Sequence, residues 1–194
     1  MKKINDTANE QICSIFILAN YMSFSFLESA KKYFNQQKSL GDKTFAQLSI
    51  ENLLWQYNES SNSIAIIVQH LSGNMLSRFT NFLTEDGEKA WRDRDNEFEK
   101  TIQSKDELVQ KWNAGWDCVF AALDSLKEED LAKTIFIRNE PQSVYDAITR
   151  QIAHYSNHVG QIVYIGKMCL DNNWASLSIP KGDSKEFNKK MMGS

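Results

Sequence analysis

Apolar residues recur every three or four positions along four long stretches of the chain, which is the spacing of amphipathic helices. The predicted helices span about 8–36, 63–83, 104–126 and 143–170, and the first is expected to stop near Gly41. Cap signals, a Ser followed three residues later by an acidic residue, stand at Ser104 and Ser143. The chain has only 2 prolines and 8 glycines, and this scarcity of helix breakers favours long helices over a sheet with many turns.

The segments between these helices show weaker patterns. A short apolar connector covers 45–55, and a cluster of turn and cap residues follows at 58–63. The segment 88–101 is charged and has no clear period, and Thr134–Ile137 is β-prone but too brief to found a sheet. The sequence therefore predicts an all-α fold, an up-and-down four-helix bundle with short connections. We expect a single domain over 1–194, with a core of about 8–170 and a C-terminal tail at 171–194.

Composition narrows the classes of partner and the compartment. The formal net charge of the 194 residues is -3, which argues against nucleic acid as the main partner because phosphate binding needs a dense basic face. No run of 18 apolar residues occurs, so we expect no membrane span. The helical spacing continues from Ile12 to Phe34, unlike a secretion signal. The 3 widely spaced cysteines, Cys13, Cys118 and Cys169, fit a reducing compartment. Together these features predict a cytoplasmic protein.

Two histidines of the fourth predicted helix carry the candidate chemistry. His154 and His158 are one turn apart, flanked by Gln151 and Gln161, and lie beside an apolar seam that runs from Ile148 to Cys169. Imidazoles at this spacing can bind one divalent ion together. By itself this spacing is weak evidence for a metal site, because two partly exposed histidines that lie beside a core and bind no metal have the same spacing.

His70, in the middle of the second predicted helix, is the chain's remaining histidine. It shares a side of that helix with Ile66 and Asn74, and nearby Gly73 leaves room for another helix to approach. If the second and fourth helices are neighbours, His70 can converge with the other pair. Three imidazoles leave coordination positions open, as in reactive metal sites. Zinc or nickel is the favoured ion, with iron or manganese as alternatives.

These histidines and the residues around them resemble the DinB/YfiT-like superfamily, and most closely one of its bacterial subfamilies of unknown function. The similar segments are distributed between residues 62 and 182: NSIAIIVQHLSGN at 62–74, SRFTNFLT at 77–84, DGEK at 86–89, WRDRD at 91–95, RQIAHY at 150–155, HYSNHVGQI at 154–162 and LSIPKG at 177–182. The resemblance implies a four-helix bundle. It also implies that His70, His154 and His158 each hold a divalent metal ion.

The resemblance suggests classes of reaction without choosing among them. Relatives include thiol-dependent transferases, so we expect a small-molecule substrate and a low-molecular-weight thiol similar to bacillithiol, activated at the metal. Two alternatives use the same residues: a non-catalytic helical binding protein with a structural or vestigial metal site, and a metal-dependent hydrolase. Arg78, Arg92 and Arg94 either hold an anionic substrate or belong to a solvated charged loop.

Aromatic residues raise the question of assembly. The chain has 5 tryptophans, and Trp112 and Trp116 are one turn apart on the third predicted helix. This pair either fills the core of one bundle or marks a subunit contact. DinB-like bundles often pair, and twofold dimers are the commonest soluble assembly. We expect a homodimer.

Overall fold

A computed structural model describes residues 25–193 of the chain. The predicted start of the first helix, at 8–24, and Cys13 lie outside these residues. The described part is predominantly helical, which confirms the all-α class. Its helices and strands are α1 (Phe26–Gln47), α2 (Ile50–Leu54), α3 (Ile64–Phe79), α4 (Lys105–Ser125), β1 (Thr134–Ile137), β2 (Glu140–Ser143), α5 (Val144–Leu170) and α6 (Ser184–Met192), with 3-10 turns at Asn96–Phe98, Glu128–Ala132 and Asp171–Asn173.

Serine caps fix where the long helices begin. The side chains of Ser63, Ser104 and Ser143 each accept a hydrogen bond from the backbone N–H three residues later, so that α3, α4 and α5 begin where the sequence predicts. The predicted end of the second helix was too late. The helix ends at Phe79, because Asn81 takes a left-handed backbone conformation (φ 51°) that a helix cannot continue through.

The first predicted helix does not stop near Gly41 but continues to Gln47. Gly41 is buried in α1, and the indole of Trp112 from α4 lies against its backbone. The ring is fixed by a hydrogen bond of 2.8 Å from Trp112 Nε1 to Asp42 Oδ1, the residue next to Gly41. Packing of an aromatic ring outweighs the cost of about 1 kcal/mol that glycine imposes on a helix interior.

The four long helices share one apolar core. Its most extensive helix contacts are between α3 and α4 and between α1 and α5, and α3 also contacts α5. Trp112 and Trp116 are buried in this core, where Trp116 lies against Phe34 and Tyr155. The aromatic pair therefore fills the interior rather than a subunit contact. Among residues 25–193, no helix has the length and apolar character needed to cross a bilayer.

The β-prone run Thr134–Ile137 pairs with Glu140–Ser143 as an antiparallel hairpin. Its two turn residues, Arg138 and Asn139, both have positive φ, as a two-residue hairpin turn requires. Asp86 holds this turn: its carboxylate accepts hydrogen bonds of 2.8 Å from the N–H groups of both residues. The hairpin is thereby tied to the loop that follows α3.

We predict that Gly41→Ala lowers the free energy of unfolding by about 1–3 kcal/mol, because the added methyl group overlaps the fixed indole of Trp112. Gly160→Ala is the matched control, since Gly160 lies in α5 with open space around it. That substitution is expected to stabilise the protein by about 0.5–1 kcal/mol. Urea unfolding followed by circular dichroism measures both. Equal effects of the two substitutions would contradict this account of α1.

Candidate metal centre

His70, His154 and His158 form one cluster between two helices. His70 projects from α3, and His154 and His158 project from consecutive turns of α5. One ring nitrogen from each histidine can be chosen so that all three atoms lie within 4.8 Å of one another. The prediction that the second and fourth long helices bring the three imidazoles together is therefore confirmed. The cluster can hold a metal ion.

Each imidazole has an oxygen atom opposite its Nδ1 atom. Glu97 Oε2 lies 2.9 Å from His70 Nδ1, Gln151 Oε1 lies 3.4 Å from His154 Nδ1, and Gln161 Oε1 lies 3.2 Å from His158 Nδ1. Three Nδ1–H groups that donate to these oxygens leave three Nε2 lone pairs for a cation. Histidines that bind metals are commonly oriented by such a hydrogen bond from the other ring nitrogen.

The facing Nε2 atoms of His154 and His158 are only 3.1 Å apart. When both Nδ1 atoms carry the proton, two lone pairs face each other across this gap and repel. A cation between the rings removes the repulsion. Two nitrogens that bind a tetrahedral zinc ion at 2.0–2.1 Å are themselves roughly 3.4 Å apart, which is close to the observed spacing. The donor set and its geometry therefore fit a divalent ion.

Glu97 orients His70 from a segment in which the sequence showed no period. It lies in the 3-10 turn Asn96–Phe98, and its carboxylate is held by Arg92, whose Nε donates to Oε1 at 2.7 Å and whose Nη2 donates to Oε2 at 2.9 Å. Phe98 of the same turn stacks on the His70 ring, with ring centroids 5.1 Å apart. The turn thus covers part of the His70 ring.

The gap at Gly73 is filled by the Glu97 side chain, which lies where a Cβ atom of residue 73 would be. From the sequence we expected another helix to approach Gly73. In the structure, the carboxylate of Glu97 occupies this space instead. Any side chain at position 73 would displace Glu97 from His70. In the sequence, Glu97 itself had no recognisable signal. The one indication was Gly73, a glycine one helical turn from His70, which showed that something approaches α3 at that point.

Burial and charge set the protonation of the cluster. Burial, followed by the positive charge of the other imidazoles and of Arg150, lowers the pKa of His154 from 6.5 to about 4. Burial also lowers the pKa of His158. For Glu97, burial alone would raise the pKa, but hydrogen bonds from His70 and Arg92 outweigh burial and hold the pKa below its usual value. An ionised Glu97 therefore faces His70, while His154 and His158 are neutral near pH 7.

The predicted arginines lie beside the cluster but differ in their partners. Arg78 donates to Glu88 Oε2 from Nη2 at 3.1 Å and also to the carbonyl of Gly87, so its guanidinium is buried and paired. Arg92 is paired with Glu97. These are contacts between α3 and the loop or within the loop, rather than ion pairs on a solvated surface. Arg94 is exposed and lines a cavity next to His70 and His154.

We predict that the metal-free protein loses stability as the pH falls from 6.5 towards 4. The pKa of His154 is about 4 in the folded protein and 6.5 in the unfolded chain. Between these pH values the unfolded chain binds a proton at this residue and the folded protein does not, so acid favours unfolding. The contribution of neutral His154 to the free energy of unfolding is fully present above pH 6.5, and it is lost progressively as the pH falls from 6.5 to about 4. After discounting for solvent screening of the partly exposed ring, the loss is on the order of 1 kcal/mol.

Urea unfolding in the presence of a chelator, at several pH values from 7 to 4.5, measures this loss. His154→Gln is the matched variant, and its stability should fall less over the same range. The chain has 3 histidines, all in this cluster, so no imidazole outside the cluster contributes to the difference between the two proteins. Parallel pH curves for the two proteins would contradict the prediction.

Comparisons with known proteins agree with a conserved domain of unassigned role. No curated protein matches the chain. A family model described as a protein of unknown function (DUF1572) matches residues 21–183, which include all three histidines of the cluster and the loop that carries Glu97. The match covers well over half of the chain, and the protein therefore belongs to the DUF1572 family.

Proposed function

We propose that this protein is a divalent-metal-dependent enzyme of the DinB-like kind, and that His70, His154 and His158 hold its metal ion. The observation that carries the proposal is the cluster itself: three imidazoles with candidate ligand atoms within 4.8 Å, each with an oxygen at Nδ1. In this proposal the four long helices form an up-and-down bundle, and the metal lies between α3 and α5. Zinc or nickel suits the nitrogen ligands, with iron or manganese as alternatives.

Three protein ligands leave room for a reacting molecule. Among residues 25–193, no carboxylate or thiolate joins the three histidines as a fourth ligand. Glu97, the carboxylate that contacts His70, already uses both oxygens for Arg92 and His70. Structural zinc sites have four protein ligands, whereas catalytic sites have three and an open position. This difference favours an enzyme over a binding protein with a structural metal.

We further propose that the open position takes a small thiol, so that the protein works as a thiol-dependent transferase. The support is the resemblance of the histidine segments to DinB-like proteins. When bound, a divalent ion supplies a Lewis acid that lowers the pKa of a coordinated thiol or water. The residues of the chain orient the imidazoles through Glu97, Gln151 and Gln161, and the low pKa of His154 leaves its Nε2 free of a competing proton.

We also propose a cytoplasmic homodimer. Cys118 and Cys169 are free thiols, as expected of a reducing compartment. Trp91 and Tyr164 are large aromatic residues with more than half of their surface exposed, 59% and 67% respectively. Because Trp112 and Trp116 lie inside the core, exposed aromatic residues of this kind are our candidates for the subunit contact.

We predict that the purified protein binds about one divalent ion per chain and that His158→Ala removes most of it. Loss of one imidazole leaves two ligands and opens the site to water. Elemental analysis after dialysis against zinc or nickel measures the metal content. Helix content by circular dichroism should stay near that of the wild type, because His158 is only half-buried.

Asn157→Ala is the matched control for this variant. Asn157 is the exposed neighbour of His158 on α5, and it should retain the wild-type metal content. Unchanged metal content in His158→Ala would contradict the assignment of the site. Equal loss in both variants would show that the helix, rather than the imidazole, had been disturbed.

A small thiol should change the visible spectrum of the cobalt- or nickel-substituted protein, since sulfur that enters the coordination sphere adds a charge-transfer band. Thiol at millimolar concentration, roughly the range of weak ligand binding, is titrated while the spectrum is recorded. The alcohol with the same carbon skeleton is the control and should give no band. If the thiol gives none either, the transferase proposal fails and a hydrolase or a binding protein is favoured.

A further inference from the structure

All five arginines of the chain line one cavity. The sequence has Arg at 78, 92, 94, 138 and 150 only, and the cavity of about 210 Å³ beside His70 and His154 is lined by every one of them. Asn74 and Gln151 complete the lining, to which the described residues add no carboxylate and no lysine. The protein as a whole is weakly acidic, with a net charge of -3, so this concentration of guanidinium groups does not follow from composition.

The five side chains divide into paired and unpaired groups. Arg78, Arg92 and Arg138 form ion pairs with Glu88 or Glu97, with N–O distances of 2.7–3.1 Å at their closest. Within residues 25–193, neither Arg94 nor Arg150 has a carboxylate within 4 Å, and both are exposed. Two guanidinium groups therefore face the cavity with their charge uncompensated by the described residues.

The choice of arginine over lysine favours a planar anion. The guanidinium group offers a fixed fork of N–H donors that matches the two oxygens of a carboxylate or phosphate, whereas an ammonium group acts as a point charge. Although the chain has 17 lysines among its 22 basic residues, no lysine of the described part, residues 25–193, lines this cavity. A volume of about 210 Å³ is smaller than the roughly 300–1,000 Å³ of pockets for drug-sized ligands, so it suits a small acid.

The position of Arg150 relates the cavity to the metal centre. Arg150, His154 and His158 follow one another at steps of four residues along α5 and so lie along one side of that helix. At a rise of 1.5 Å per residue, Arg150 is about 6 Å along the helix from His154. Because Arg150 lines the same cavity as His70 and His154, an anion bound there would lie next to the metal centre.

We propose that this cavity binds the oxyanion group of a small acidic substrate, a carboxylate or phosphate, through Arg94 and Arg150, next to the three histidines. The proposal rests on the proposed function and adds the substrate class: a small molecule that carries a carboxylate or phosphate group. The buried ion pairs of Arg78 and Arg92 shape the wall of the cavity. The exposed pair binds the ligand.

Isothermal titration calorimetry with inorganic phosphate and with malonate, each at constant ionic strength set with chloride, tests the proposal. We expect at least one of the two to bind the metal-free wild type, and Arg150→Met and Arg94→Met each to weaken that binding by about tenfold or more. Arg150→Lys should bind the anion more tightly than Arg150→Met but less tightly than the wild type, because lysine keeps the positive charge but lacks the two parallel N–H donors of a guanidinium group. The stronger of the two probes identifies the acidic group.

Lys167→Met is the matched control, since it removes the same charge from an exposed position of α5 about 25 Å further along the helix. It should bind the anions as the wild type does. The proposal is overturned if Arg150→Met and Lys167→Met bind equally, if neither probe binds the wild type, or if binding requires the metal and is unaffected by Arg150→Met. In the last case the anion is a ligand of the metal alone.

Metal content, measured on the same samples, separates this proposal from the proposed function. Arg150→Met should retain the wild-type metal content, because Arg150 is not one of the three imidazoles. A wild type that binds the anion but no metal would leave the cavity assignment intact and remove the metalloenzyme. If the wild type binds metal but neither phosphate nor malonate, the metal site stands and the assignment of the cavity as an anion site fails.

Discussion

The carboxylate of Glu97 is the interaction on which the candidate site depends. One of its oxygens accepts the Nδ1–H of His70, and both accept hydrogen bonds from Arg92. A buried carboxylate without such partners would become protonated, and one with them is a fixed acceptor. Glu97 therefore holds the His70 ring in one orientation and leaves its Nε2 lone pair for a cation. It also ties the charged segment 88–101, which has little regular structure, to the middle of α3.

A second carboxylate, Glu88, extends this arrangement to the hairpin. It contacts Arg78 from α3 at 3.1 Å and Arg138 from the β-turn at 3.0 Å. Asp86, two residues earlier, accepts the N–H groups of that turn. Helix α3, the loop and the hairpin are thus joined by charge-assisted hydrogen bonds, which are about twice as strong as neutral ones. The consequence is a wall of arginines with a defined shape next to the imidazole cluster.

The adjacency of imidazoles and arginines has an electrostatic consequence. Positive charge from Arg150 contributes to the low pKa of His154, after burial and the neighbouring imidazoles. The same charge attracts an anion to the place where a metal-bound group would react. The two proposals therefore concern one site. In them, the three histidines hold the metal that activates a bound thiol or water, and Arg94 and Arg150 position the acidic substrate. Glu88 and Glu97 compensate the guanidinium groups of Arg78, Arg92 and Arg138, and Arg94 and Arg150 are available to a ligand.

The helices and their caps were predictable from the sequence because helical spacing and serine caps act within a few residues of one another. Ser104 and Ser143 begin their helices as predicted, and the convergence of His70 with His154 and His158 was predictable once α3 and α5 were taken as neighbours. Local pattern was wrong about Gly41, because its effect on α1 is decided by an indole 71 residues away in the chain.

The tertiary structure alone decided the surroundings of the histidines. Glu97 stands in a segment without a period, and only the fold shows which of that segment's acidic residues reaches His70. Likewise, five arginines scattered from 78 to 150 have no common spacing, and they meet because the loop, the hairpin and two helices border one cavity. Periodicity records which face of a helix is buried. It contains no information about contacts made by irregular segments, whose partners are fixed by the packing of the whole chain.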